Sequence, residues 1–397
     1  MINPKIPFNK PYIAGKELYY IAQAVELGNL SGDGHFTQKC CDLMEMKFSA
    51  QKVMLTHSCT AALEMAAILC DIQPGDEVIM PSFTFVSTAN AFALRGAMIR
   101  FADIRPDTLN IDETQLESLI TKKTKVIVPV HYAGVSCDME DIMDLADVFK
   151  LLVVEDAAQG VNSTYNDNYL GTIGHLGTYS FHETKNFICG EGGALVINDE
   201  RLIERAEIIR VRGTNRSAFF RGEADYYNWV DIGSSYLMSD LLSAFLYAQL
   251  ENMDSINQRR NDIWHFYHQT LVPLANDGKL RLPYIPPGCH SNSHLFYIIL
   301  TDEATRDALM GYLKDHNIQA VFHYVPLHTS DVGRTMGYTP GQLPLTESLS
   351  SRLLRLPFYY ELTRVDQQFI VEIIFKFFHT TLSRTLRRGA HDRSHPI

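Results

Sequence analysis

The sequence has no C-x-x-C pair, no G-x-G-x-x-G after its first expected strand, and no apolar run near the roughly 20 residues that cross a bilayer. Without C-x-x-C, the seven cysteines (Cys40, Cys41, Cys59, Cys70, Cys137, Cys189 and Cys289) form no redox or zinc framework; they are odd in number and read as reduced thiols. The missing glycine fingerprint counts against a nicotinamide cofactor. The lack of a spanning run, together with a start at residues 1–10 that is not basic-then-apolar, points to the cytoplasm and away from a membrane. Excess positive charge is lacking too. A net charge of -11 argues against nucleic acid as the main partner, so an anionic ligand must be held by a few local groups. There is no internal repeat and no low-complexity tract.

What is present is enough chain and apolar content for a large core: 397 residues, 46% of them hydrophobic, suit two domains. Between residues 50 and 200, short β-branched runs at 53–56, 77–80, 98–101, 126–130, 151–155, 177–181 and 194–197 alternate with helical stretches at 60–70, 87–95, 112–120 and 139–149. That alternation predicts an α/β fold with a mainly parallel seven-stranded sheet. Asp112 and Asp138 are expected N-caps. Residues 239–253, apolar all round, predict a buried or interface helix closing the large domain. A long polar helix from about residue 257 and a proline-rich connection at 282–288 lead into a smaller α/β unit. There, strands at 295–300 and 320–324 and helices at 303–316 and near Thr346 and Val365 are expected. The resulting division is a large domain with an N-terminal arm at 1–255, a small domain at 256–380, and a basic tail without an apolar face at 381–397, expected to be mobile.

Several chemistry-bearing residues fall at strand ends. Lys185 lies between the run ending Tyr179-Ser180-Phe181 and the turn Gly190-Glu191-Gly192-Gly193. Asp156 ends a buried strand, with Glu155 facing the other way and Gln159 just behind. A lysine amine that can hold an aldehyde, and an anion that can face a pyridine nitrogen, are the two parts pyridoxal 5′-phosphate requires. Ser58-Cys59-Thr60 opens a helix after a strand, which suits a phosphate. Ser180 can add a hydroxyl, and Phe83 and Phe85 follow another strand within reach of a ring face. Each has an ordinary alternative as surface lysine, cap or N-cap. Their coincidence at one edge of an α/β sheet is what favours a site. Arg212, Arg216 and Arg221 lie in a polar loop at 214–228 and its flank, where they could clamp an anion or pair with Glu223 or Asp225. His182, His323, Tyr324 and His328 are candidate substrate contacts, with packing as their alternative role. Cys289, His290 and His294 read as ordinary loop and strand residues, and no metal site is expected.

These segments together resemble the DegT/DnrJ/EryC1/StrS sugar aminotransferases: Ser58-Cys59-Thr60-Ala61-Ala62-Leu63, Asp76-Glu77-Val78-Ile79 with Pro81-Ser82-Phe83-Thr84-Phe85, Glu155-Asp156-Ala157-Ala158-Gln159, Ser180-Phe181-His182-Glu183-Thr184-Lys185-Asn186 and Gly190-Glu191-Gly192-Gly193. The match runs from about residue 6 to residue 378. It implies a fold-type I pyridoxal phosphate enzyme and a homodimer with active sites at the subunit interface. Lys185 would hold the cofactor, Asp156 face its ring nitrogen, Gln159 its ring oxygen, Cys59, Thr60 and Ser180 its phosphate, and Phe85 its ring face. A dehydratase branch replaces the lysine by histidine, so Lys185 implies a transaminase. Gly233-Ser234-Ser235-Tyr236-Leu237-Met238 departs from the family's Gly-Tyr-Asn-Tyr-Arg-Met: Ser235 stands where an asparagine reaches the neighbouring subunit's phosphate. The segments at 181–186, 212–217, 231–240 and 322–328 look more like a C4 branch than like the 3-aminotransferases. The implied reaction moves the amino group of L-glutamate to C4 of dTDP-4-keto-6-deoxy-D-glucose. A nicotinamide-dependent nucleotide-sugar enzyme and a non-catalytic regulator on the same fold are the rival readings.

Overall fold

In a computed structural model, which describes residues 6–391 and gives those past His379 as backbone only, the chain is organised around a seven-stranded sheet. Its strands are β1 (Lys52–Thr56), β2 (Glu77–Pro81), β3 (Met98–Ala102), β4 (Thr124–Ile127) and β5 (Leu152–Asp156). After a small hairpin, β6 (Thr164–Tyr165) and β7 (Asn168–Tyr169), come β8 (Leu176–Ser180) and β9 (Gly193–Ile197). The order is β1-β9-β8-β5-β4-β2-β3. Only β9 runs antiparallel to its neighbours; the other pairings are parallel. Helices cover both faces, which is why β2, β8 and β9 are buried at every position rather than at alternate ones.

Four helices matter for placing side chains: α1 (Glu17–Leu27), α2 (His35–Phe48), α3 (Cys59–Leu69) and α4 (Val86–Ala93). Ser58 caps α3 by accepting a hydrogen bond from Ala61 N. The apolar stretch expected at 239–253 forms Asp240–Glu251, and it packs on α1 and α2. Asp240, nearly fully buried, accepts from Phe36 N, Thr37 N and Thr37 Oγ1, and so ties that helix to the start of α2.

The C-terminal unit is built on the helix Met253–Asn276 and a second sheet, β10 (Leu280–Arg281), β12 (Tyr297–Leu300) and β13 (Leu353–Arg355). Between β10 and β12 in sequence, β11 (Cys289–His290) pairs instead with β6. Its core joins Ile263, Tyr267, Phe296, Ile298, Leu354, Ile370 and Ile374, and it also takes in Ile6 from the start of the chain. The N-terminal arm therefore docks on the C-terminal unit: Ile6 N donates to Asn317 O and Phe358 N to Phe8 O.

Some expected elements differ. Residues 112–120 form a 3-10 turn, Glu113–Gln115, and one helical turn, Leu116–Leu119: the Asp112 carboxylate accepts from Thr114 N at a 3-10 start, and Ile120 is already extended. Residues 320–324 form no strand; only Val321 bridges to Arg355, and Tyr324 turns away with φ 42°. The loop expected at 214–228 contains a short helix, Arg216–Phe220. The last helix runs Arg364–His391, so helical backbone enters the stretch expected to be a mobile tail, while 392–397 lie outside the described residues. Among the described residues no helix is long and apolar enough to cross a membrane.

Glu155 organises the edge where the strands end. Fully buried, it accepts from Gly171 N (2.8 Å), Ile173 N (2.7 Å) and Gly174 N (2.6 Å), and its Oε2 lies 2.8 Å from His131 Nε2. Replacing it with alanine orphans three backbone donors. We predict that Glu155→Ala lowers stability by about 3 kcal/mol or more, read from the urea midpoint; an unchanged midpoint contradicts this role.

Candidate active site

The connection at 181–192, between β8 and β9, carries Lys185. Phe181 N donates to Gly192 O, Glu183 N to Gly190 O and Cys189 N to Phe181 O, so the chain folds back on itself. Gly190, at φ 88°, takes a conformation that favours glycine. Gly193 meets a different limit: a Cβ there would sit 2.4 Å from Cys59 N, so glycine lets β9 lie against the opening of α3. Lys185 and the start of α3 thus meet in one cavity of 820 Å³.

Eleven residues expected at the site line this cavity: Ser58, Cys59, Thr60, Phe85, Asp156, Gln159, Ser180, His182, Lys185, His323 and Tyr324. Asp156 accepts from Thr88 Oγ1 at 2.7 Å and from Ala158 N at 3.2 Å. Thr88 is itself 2.9 Å from Thr84, so α4 fixes the carboxylate from one side and the end of β5 from the other. Gln159 Oε1 accepts from Ala133 N at 2.7 Å; this sets the amide so that Nε2 points the other way and donates to Tyr324 OH at 3.0 Å. His323 stacks on Tyr324, with ring centroids 3.6 Å apart, and its Nδ1 lies 2.9 Å from Tyr132 OH.

Burial sets the protonation states. It pushes the Lys185 amine below the ordinary lysine range; Cys59 and Asp156 oppose that shift and Arg355 adds to it. The Cys59 thiol is held above its ordinary range by burial and by Asp156, so Cys59 offers its backbone N–H rather than a thiolate. His294 and His323 are pushed well below the usual imidazole range, by burial first and by nearby Lys185 and Arg355 second, and are neutral at pH 7.

Six expected residues are elsewhere. His328 is fully buried between Ser82 Oγ (2.7 Å) and Glu347 Oε1 (3.0 Å), and it pins the loop before the helix Pro344–Arg352 instead of lining the cavity. Arg212 and Ser235 are exposed and joined to each other, Nη2 to Oγ, at 3.2 Å. Arg216 is also exposed and lies over the Phe220 ring. None of the three reaches the cavity of its own chain. Arg221 pairs with Glu207 and Glu223, and Phe83 is core, packed against Tyr132 and Tyr324. Cys289 and His290 lie in β11, while His294 lines the cavity and contacts Asn186 Oδ1 at 3.0 Å.

Sequence reasoning missed Thr88, His294, Arg355 and the arm residues Phe8 and Asn9, all of which line the cavity. Arg355 carried a signal: it is the lone charge in Leu353-Leu354-Arg355-Leu356. The residues fit pyridoxal phosphate. A buried carboxylate, a partly desolvated lysine, and a helix start whose first N–H groups have no intrahelical acceptor converge on one cavity.

Residues 11–375 match the DegT/DnrJ/EryC1/StrS aminotransferase family. The spore coat polysaccharide biosynthesis protein SpsC of Bacillus subtilis is 34% identical over 385 residues, covering 94% of this chain and 97% of that protein. Among solved structures, the aminotransferase TlmJ of Streptoalloteichus hindustanus superposes with TM-score 0.87 at 28% identity, over 95% of this chain and 100% of that one. The PLP form of the sugar aminotransferase Spr1654 of Streptococcus pneumoniae gives 0.86 at 25% identity, over 94% and 99%. The chain belongs to the DegT/DnrJ/EryC1/StrS aminotransferase family, as a sugar aminotransferase whose cofactor is pyridoxal 5′-phosphate.

Proposed function

We propose that the chain is a nucleotide-sugar aminotransferase that moves the amino group of L-glutamate to C4 of dTDP-4-keto-6-deoxy-D-glucose, giving dTDP-4-amino-4,6-dideoxy-D-galactose. Its segments at 181–186, 212–217, 231–240 and 322–328 resemble the transaminase that makes this compound for enterobacterial common antigen. The observation that carries an aminotransferase reading is Lys185 and Asp156 sharing one cavity with the start of α3.

Bound pyridoxal phosphate supplies an electron sink for the substrate carbon that gains or loses its proton. Lys185 holds the aldehyde, and its lowered pKa leaves more of the amine neutral and able to attack or to take a proton near neutral pH. Asp156, fixed by hydrogen bonds from Thr88 Oγ1 and Ala158 N, would face the ring nitrogen and hold a proton there. Gln159 would present its amide nitrogen to the ring oxygen. The N–H groups of Cys59 and Thr60 and the hydroxyls of Ser58, Thr60 and Ser180 would hold the phosphate. Phe85 would cover a ring face, and His182, His323 and Tyr324 would contact the substrate. Exposure of Arg212, Arg216 and Ser235 outside their own cavity supports a homodimer in which they serve the neighbouring site. Exposed Leu18, Met46, Tyr226 and Trp229 supply apolar surface for that contact.

Three outcomes are expected. Below its folded-state pKa a lysine with a lowered value costs stability, and the cost fades as pH rises toward its unfolded value near ~10.4. In cofactor-free protein, Lys185→Met therefore melts higher than the parent at pH 7, and the gap closes toward pH 10; a gap that is absent at pH 7 contradicts the shift. Incubation with glutamate and the 4-keto sugar yields the 4-amino-4,6-dideoxygalactose nucleotide by mass and NMR, whereas a 3-amino product overturns the regiochemistry. Lys185→Ala and Arg212→Ala subunits, each impaired alone, regain activity when co-expressed; no gain argues against shared sites.

A further inference from the structure

Arg355 stands at the end of β13, where its backbone is held on both sides. It is in register with Tyr297 of β12, and it exchanges hydrogen bonds with Val321, N–H to O at 2.8 Å and 3.1 Å. The side chain enters the cavity wall. Nη2 donates to Phe322 O at 3.1 Å, and the guanidinium lies over the Phe8 ring, 4.6 Å from its centroid. Nε is buried with no hydrogen-bond partner, and among the described residues no carboxylate forms an ion pair with Arg355. A fixed, partly desolvated cation with one buried donor unpaired and no counter-ion is completed by a ligand anion.

Three anions visit such a site. The cofactor phosphate is met by the start of α3, with Ser58 and Thr60. A sugar nucleotide's diphosphate is several bonds from the carbon that reacts. The carboxylate of an amino-acid donor is attached directly to that carbon. Arg355 lines the same cavity as Lys185, and its Nη2 bond to Phe322 O sets it beside His323 and Tyr324, at the reacting end. Its planar fork, backed by Phe8, suits a carboxylate held edge-on.

We infer that Arg355 binds the α-carboxylate of the amino donor. This makes it a substrate-binding residue for the first half of the reaction and the determinant that admits an amino acid where a neutral keto-sugar must later sit. The inference rests on the aminotransferase reading of the cavity.

The test uses full-length, pyridoxal phosphate-loaded protein and separates the two halves. L-Glutamate alone is added while loss of the cofactor's visible band is followed; the aminated protein is then mixed with the keto-sugar nucleotide. Binding of glutarate, which has both carboxylates but no amine, is measured by calorimetry. Arg355→Met is expected to raise half-saturating glutamate and the glutarate Kd by about 30-fold or more, as loss of a charge-assisted carboxylate contact does. Arg355→Lys, which keeps charge and fold, should give a smaller rise. In both variants the loss on the glutamate half should exceed that on the sugar half by about 10-fold. A rise confined to the sugar nucleotide assigns Arg355 to the diphosphate and overturns the inference, as does no change with either. A parent protein that never develops the visible band sinks the aminotransferase reading and the inference with it.

Discussion

Glu155 and Asp156 are consecutive at the end of β5, so the alternation of a strand sends their carboxylates to opposite sides of the sheet, and both are buried. A buried carboxylate needs donors, and the two find different ones. Glu155 gathers backbone N–H groups from 171–174 and locks the strand end in place. Asp156 takes only Thr88 and Ala158 from the protein and opens onto the cavity. The rest of the site depends on this division: one acid is spent on architecture so that the next can be presented at a fixed point.

Around that point the cavity wall carries Lys185 and Arg355 as well as Asp156 and Glu191. Burial holds His294 and His323 well below the usual imidazole range, and the neighbouring Lys185 and Arg355 push them the same way. Two cations in that wall suit ligands that bring negative charge with them, so a chain of net charge -11 can hold anions by a few local groups.

Much of this was legible in the sequence. All seven main strands were marked by short β-branched runs, and Lys185, Asp156, Gln159 and the Ser58–Thr60 helix start fall where strand ends bring them to one edge. What stayed hidden needed tertiary contact. Arg355 and Phe8 enter the cavity from opposite ends of the chain, joined through the small unit's core. Thr88 sits inside a helix with nothing local to mark its bond to Asp156. His328 resembled a pocket residue because it follows His323 and Tyr324, yet the turn after Tyr324 carries it into the core against Ser82 and Glu347. The arginines at 212 and 216, expected beside an anion, lie outside the cavity of their own chain, on Ser235 and over Phe220.

Reductive trapping addresses the central claim most directly. Protein loaded with pyridoxal phosphate is treated with borohydride, digested and mapped by mass spectrometry. The added cofactor mass is predicted on the peptide containing Lys185 and nowhere else. Label on another lysine, or no label on a protein that has taken up the cofactor, contradicts the placement of the chemistry at Lys185.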